Sequence, residues 1–204
     1  MGLSISDIVA LFQQKGHEQY EGEPVTQLQH ALQTASFAEE AGADSELITA
    51  CLLHDIGHLL HELGPTPTNK GKDDVHQYRC LPFLRPLFGA ATLEAIKLHV
   101  DAKRYLCVGE IGYFHTLSAD SRRSLVLQGG IFTIEQATQF AALPHATDAI
   151  SLRRWDDRAK IADYRTPGLP HFVAYMEDAA RQHAMRLKSS TASTLKHPRS
   201  IHVI

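Results

Sequence analysis

The chain has 204 residues, 44% of them hydrophobic, which is enough for one domain with a sizeable core. A net charge of −3 provides no general field for nucleic acid or an acidic membrane surface. No apolar run reaches membrane-spanning length, no signal-like segment opens the chain, and the three cysteines lack the paired short spacing of a disulfide framework or cysteine zinc site, so the cytoplasm is the expected compartment.

Ser4 to Lys15 reads as a first helix, with Ile5, Ile8, Val9 and Phe12 on one face and Gly16 as its stop. The following Gly16 to Val25 is loop-like and carries Tyr20 and Glu23. Thr26 with Gln29 forms a capping box that opens a second helix. Its buried stripe of Leu28, Ala31, Leu32, Ala35 and Ala38 runs to Gly42, with His30 at the inner edge. Asp44 or Ser45 caps a third helix, expected to continue to about Leu63, and Gly64 to Lys72 reads as an exposed loop. Asp73 or Asp74 caps a fourth helix that bears His76, is interrupted at Pro82 and ends by Pro86. Ala90 to about Val100 is a fifth helix, with His99 near its end. Ser118 starts another, stopped by Gly129-Gly130, and Thr133 with Gln136 makes a second capping box. Ala146 to Ile161 holds the charged run Arg153-Arg154-Trp155-Asp156-Asp157-Arg158, and Gly168 and Pro170 open a long final helix. No strand alternation or internal repeat survives, so the class is all-α: one helical domain over 1–185, then a basic, Ser/Thr-rich tail over 186–204 expected to be disordered.

Within the third helix, Leu52-Leu53-His54-Asp55-Ile56-Gly57-His58 sets an imidazole beside a carboxylate in an apolar run. Buried polar groups need partners, and a metal ion is one that serves both; a hydrogen-bonded core pair is the plainer alternative. Four inward histidines on four helices are harder to explain as core residues. His30, His54, His76 and His99 qualify, and Asp157 adds a carboxylate. With Asp55 as a bridge, His30, His54, Asp55 and Asp157 would hold one metal, and Asp55, His76 and His99 a second. Such a nitrogen-and-oxygen set suits iron or manganese and is compatible with zinc. His17, His61, His115, His145, His171, His183, His197 and His202 read as bystanders. Lys103 follows His99 by four residues and Arg154 precedes Asp157 by three, so each shares a helix face with a candidate ligand. Two cations converging on a metal centre point to a phosphate or phosphonate substrate, although a solvated lysine at a helix end fits the Lys103 spacing equally well.

The order His30, His54-Asp55, Asp157 resembles the HD-domain superfamily of metal-dependent helical proteins, most of them phosphohydrolases. The additional His76 and His99 resemble the two-metal subgroup that includes myo-inositol oxygenase. Three stretches, His99 to Leu106, Leu125 to Gly130 and Leu152 to Lys160, are similar to its phosphonate-degrading branch, and the likeness runs from about Leu3 to Met185. The resemblance implies an Fe(II)/Fe(III) pair, dioxygen as co-substrate, and oxidative cleavage of the carbon–phosphorus bond of a small aminophosphonate, 2-amino-1-hydroxyethylphosphonate, to glycine and phosphate. It also implies roles: His30, His54, Asp55, His76, His99 and Asp157 on the irons, and His58 beside substrate and oxygen. Lys103 and Arg154, with Ser121, would hold the phosphonate; Tyr20 would occupy an iron position until substrate arrives, and Glu23 would receive the substrate ammonium. A plain HD phosphohydrolase acting on a small phosphate ester is the alternative, which would not need the Tyr20–Glu23 loop or the Lys103 motif. A ligand-binding module without catalysis is a third reading, disfavoured by the complete two-metal ligand set.

Overall fold

A computed structural model describes residues 2–20, 22–60 and 67–196. The expectations for His61, His197 and His202, for residues 64–66 of the loop and for residues 197–204 of the tail lie outside the described residues. Helix α1 (Ile5–Lys15) opens on a capping box of Ser4 and Asp7 and buries Ile8 and Phe12. A short hairpin-like turn follows, closed by a bridge between Gln19 and Thr26, and Gly22 supplies the left-handed residue it requires (φ 79°). The Thr26–Gln29 capping box then starts α2 (Gln27–Glu40).

Asp44 caps α3 (Ser45–Leu53) by accepting the Leu47 amide at 2.9 Å. This helix is the centre of the molecule. Ile48 to Leu53 are all buried, which is possible only because α2, α7, α11 and α12 surround it. The third helix does not continue to Leu63 as its periodicity predicts. It ends at the His-Asp pair, where Asp55 takes φ −104° and ψ 7°, and a short α4 (Ile56–Leu59) restarts beyond it. That backbone region is sparsely populated and is often used at active sites, because it re-aims a side chain that a continuous helix would fix.

Pro67–Lys70 forms one 3-10 turn. The fourth predicted helix is two pieces, α5 (His76–Arg79) and α6 (Leu81–Leu84), divided at Cys80. Pro82 lies in the first turn of α6, where a missing N–H costs little. Next, α7 (Ala90–Gly109) runs well past the predicted end at Val100, since Val100, Ala102 and Leu106 continue the buried stripe and no Gly or Pro breaks it before Gly109. His99 and Lys103 therefore share one uninterrupted helix. Beyond it come α8 (Tyr113–Thr116), α9 (Ala119–Leu127), α10 (Ile134–Ala141) and α11 (Ala146–Arg158).

Helix α12 (Leu169–Lys196) lays Phe172, Met176 and Ala179 against the core and continues through the stretch expected to be disordered from Arg186. Arg186 itself is tied down: its guanidinium donates to both carboxylate oxygens of the buried Glu46 at 2.8 and 2.6 Å, across from the first turn of α3. The described residues contain no strand, and no described helix is long and apolar enough to cross a membrane.

One close approach joins the two halves of the site. A Cβ built on Gly57 would lie 2.2 Å from the His76 carbonyl oxygen, so only glycine lets the start of α5 press against α4. Gly57→Ala should therefore push His76 away from Asp55. The expected cost is about 1–3 kcal/mol, the range for overpacking a tight site, read as a lowered midpoint in thermal melts followed by circular dichroism.

A candidate dinuclear metal centre

The four inward histidines arrive from four helical segments, and their outer nitrogens are all committed. His30 Nδ1 donates to the Ala159 carbonyl at 2.8 Å, His54 Nδ1 to Cys51 at 2.8 Å and His99 Nδ1 to Ile96 at 2.6 Å. His76 Nδ1 is fixed instead by the Asp74 carboxylate at 2.9 Å. A carbonyl or a carboxylate only accepts, so each Nδ1 carries the proton and each Nε2 presents a lone pair. Those lone pairs face one another. His30 and His54 bring their Nε2 atoms to 3.2 Å, and so do His76 and His99. Between neutral rings neither contact has a proton to share, and a proton on His30 is drawn instead toward the Asp156 and Asp55 carboxylates. Two nitrogens each about 2.0–2.1 Å from one ion lie roughly 2.8–3.4 Å apart between octahedral and tetrahedral angles, a range that includes the spacing of both pairs.

Asp55 sits between the pairs with one oxygen turned to each. Its Oδ2 lies 3.3 Å from His54 Nε2 and 3.6 Å from His30 Nε2; its Oδ1 lies 3.2 Å from His76 Nε2 and 3.6 Å from His99 Nε2. This is the arrangement of a carboxylate bridging two ions. Asp156 completes the first group: its Oδ1 is buried with no hydrogen-bond partner, 3.4 Å from His30 Nε2 and 3.9 Å from His54 Nε2. An orphaned carboxylate oxygen aimed at two imidazole lone pairs is satisfied by a cation. The donor sets are thus His30, His54 and Asp156 on one side, and Asp55, His76 and His99 on the other.

Proton affinities express the same field. Burial pushes the His30 imidazole down, but hydrogen bonding and charge from Asp156 and Asp55 outweigh it and carry the pKa up to about 9. Burial would raise the Asp55 carboxyl, yet His54, His58 and His76 hold it well below the usual range. His99 is pushed well down by burial first, then by His54 and His76. A carboxylate field that binds a proton this firmly also favours a metal cation at the same place.

The carboxylate predicted from α11 was Asp157, and the structure corrects it by one residue. Asp157 accepts from the Tyr113 hydroxyl and from Arg153, outside the ligand groups, while Asp156 faces the histidines. The partner cation shifts with it. Arg154 lies on the outer face, its side chain 52% exposed and paired with Glu110, whereas the Arg153 side chain is 5% exposed and lines the pocket. Successive residues on a helix point about 100° apart, so a single-residue slip moves both side chains off the site together.

The other expected residues converge. Tyr20 stacks on the His30 ring (centroids 3.9 Å apart, 12° between planes) and donates to Asp55 Oδ2 at 2.8 Å. His58 lines the same pocket, with Nε2 3.8 Å from Asp55 Oδ1 and Nδ1 2.5 Å from Asp74. Lys103 is buried rather than solvated, and its ammonium donates to Ser124 Oγ at 2.7 Å. Ser121 lies on the pocket wall. Glu23 is not itself part of the pocket lining; it lies 4.0 Å from Lys160, whose ammonium is 3.5 Å from the lining Ser121 Oγ. Lys160, Arg153, Asp156 and Asp74 are the site residues that sequence reasoning missed. Of the bystander histidines, His145 and His171 pair with Asp148 and Glu39 away from the centre.

The HD domain family model matches residues 28–124, the segment that carries His30, His54, Asp55, His76 and His99. The 1-hydroxy-2-(trimethylamino)ethyl-phosphonate dioxygenase (glycine-betaine-forming) of Leisingera caerulea is 36% identical over 182 residues, 89% of this chain and 93% of that protein. The hydroxymethylphosphonate dioxygenase of Gimesia maris is 41% identical over 177 residues, 86% of this chain and 88% of that protein. The chain belongs to the HD-domain oxygenase family. The chemistry of the two donor groups fits a metal cofactor, and the residues around them line a pocket beside it.

Metal analysis separates the two adjacent aspartates. Asp156→Asn is expected to lose bound metal on purification, because a neutral amide replaces the charged donor. Asp157→Asn is expected to retain wild-type metal content, as measured by inductively coupled plasma spectrometry.

Proposed function

We propose that the chain is a di-iron oxygenase that cleaves the carbon–phosphorus bond of 2-amino-1-hydroxyethylphosphonate, giving glycine and phosphate. The observation that carries this reading is that Lys103, Arg153 and Ser121 line the same small polar chamber as the candidate metal ligands. A dinuclear nitrogen-and-oxygen centre beside two buried cations is furnished for a small dianion that must touch the metals. Both dioxygenase relatives are named for phosphonate substrates, which supports the same class. An Fe(II)/Fe(III) pair held by His30, His54, Asp55, Asp156, His76 and His99 would supply dioxygen activation and oxidation of the substrate carbon. The stoichiometry closes with one dioxygen, whose two oxygen atoms end in the products.

The protein's part is placement. Lys103 and Arg153 neutralise the phosphonate, with Ser121 adding a hydroxyl donor, and this fixes the carbon–phosphorus bond relative to the metals. Glu23 receives the substrate ammonium, which favours an aminated substrate over the uncharged hydroxymethyl group. Tyr20, bonded to Asp55 and stacked on His30, closes the approach to the centre until a substrate takes its place. His58 presents Nε2 to the chamber, where it holds or passes a proton beside the reacting carbon.

Oxygen dependence tests the chemistry. Purified iron-loaded protein given 2-amino-1-hydroxyethylphosphonate should consume oxygen and release phosphate and glycine in equal amounts, with turnover faster than on hydroxymethylphosphonate or the trimethylamino analogue. Phosphate released from a phosphate ester at the same rate under strict anaerobiosis would replace this reading with a phosphohydrolase.

The two arginines and the lysine give a sharper test of the pocket. Lys103→Ala and Arg153→Ala each remove a charge-assisted contact of about 1.5–3 kcal/mol, so kcat/KM should fall about tenfold to hundredfold. Arg154→Ala should leave kcat/KM at the wild-type value, since its guanidinium points outward to Glu110.

A further inference from the structure

His76 differs from the other three candidate ligands. His30, His54 and His99 are each fixed by a backbone carbonyl, whereas His76 has its outer nitrogen held by a side chain. That side chain, Asp74, is buried and lies outside the two donor sets of the proposed dinuclear centre, although with His58 and His76 it forms a third group whose atoms lie close enough to hold an ion. Its carboxylate forks. Oδ1 accepts from His76 Nδ1 at 2.9 Å and from the His76 amide at 3.3 Å, while Oδ2 meets His58 Nδ1 at 2.5 Å. The two rings it grips are stacked, with centroids 4.1 Å apart and 29° between planes.

The surrounding backbone is arranged to hold this carboxylate in place. Val75, between Asp74 and His76, adopts the left-handed conformation at φ 50°, which a β-branched residue tolerates only under constraint. The constraint is visible: Asp73 accepts the Val75 amide at 3.1 Å, and Arg79 Nε donates to the Asp74 carbonyl at 2.5 Å. Gly57 lets the His76 backbone press against α4, which brings His58 and His76 within reach of one carboxylate. A helix cap alone needs none of this. Asp74 would satisfy the turn with a single oxygen, yet both oxygens are used on imidazoles.

We propose that Asp74 is a positioning residue which, through one carboxylate, fixes the tautomer and ring plane of both the ligand His76 and the pocket-lining His58. Both imidazoles donate through Nδ1 to Asp74, so His76 turns its Nε2 lone pair to Asp55 and His99, and His58 turns its Nε2 into the chamber. A carboxylate behind a ligating imidazole also raises its basicity, and loss of such a partner typically weakens metal affinity about 10–100-fold. The inference rests on the metal-centre reading above, but it does not depend on which phosphonate is the substrate.

The test uses the full chain and two variants. In Asp74→Asn the side chain keeps its shape but offers one acceptor instead of two, so one imidazole loses its partner. In Asp74→Ser the hydroxyl still accepts the His76 amide as a turn cap, but it cannot reach either ring. Iron(II) affinity is measured by anaerobic competition with a chromophoric chelator, alongside far-ultraviolet circular dichroism of the metal-free proteins. The expected result is wild-type helicity in both variants, with one of two iron equivalents bound about 10–100-fold more weakly. Equal affinity in wild type and both variants overturns the proposal. Loss of helicity in both variants also overturns it, in favour of a purely structural turn. Wild type that binds no iron would remove the centre itself. Iron binding without oxygen-dependent phosphate release would remove only the substrate assignment, and a weakened variant would then still support Asp74.

Discussion

Four imidazoles gathered with their Nε2 atoms around a single buried carboxylate make an interior whose donor chemistry suits a cation. Everything nearby serves that convergence. The outer nitrogens are locked by Ala159, Cys51, Ile96 and Asp74, so the rings cannot rotate to relieve the contact. The break between α3 and α4 turns Asp55 into the midline, where a continuous helix would have carried it past. The buried Arg153 is spanned by Asp156 and Asp157, which offset the cost of its burial and fix its guanidinium on the chamber wall.

Much of this was legible in the sequence because the relevant periodicities are strong. The capping boxes at Thr26 and Thr133 fall where their spacing puts them, and His30, His54 and His99 sit among buried apolar residues of their helices. The aspartate on α11 was misplaced because Arg153-Arg154-Trp155-Asp156-Asp157 contains two identical i, i+3 pairs, one residue apart. Spacing alone cannot choose between them. The buried set Ala146, Ala149, Leu152 and Arg153 does choose, because continuing it reaches Asp156 and leaves Asp157 at the edge.

Asp74 and Lys160 were hidden for a different reason. Each works through tertiary proximity that no local pattern encodes: Asp74 looks like a helix cap, and Lys160 looks like a charge just past a helix end. Only the fold shows that the first grips two imidazoles and the second stands between Ser121 and Glu23. The break at Asp55 was likewise invisible, since Leu52 to Leu60 keeps a good helical pattern through it. The final helix was ended too early for the opposite reason. Its composition past Arg186 is poor in apolar residues, but the Arg186–Glu46 ion pair anchors the helix there without them.

The ligands and the chamber walls come from different parts of the chain. The donors stand on α2, the α3–α4 junction, α5, α7 and α11, all pressed around the buried core. Part of the remaining wall, Thr68, Ser121 and Ser124, belongs to the 3-10 turn and α9, which are joined to each other by the Thr68 hydroxyl on Asp120 at 2.5 Å. The candidate donors and part of the chamber's contour are thus separate modules. A library confined to Thr68, Lys72, Ser124 and Gln128 would reshape the chamber without touching a single donor atom, so the molecule is a natural starting point for retargeting to new small anions.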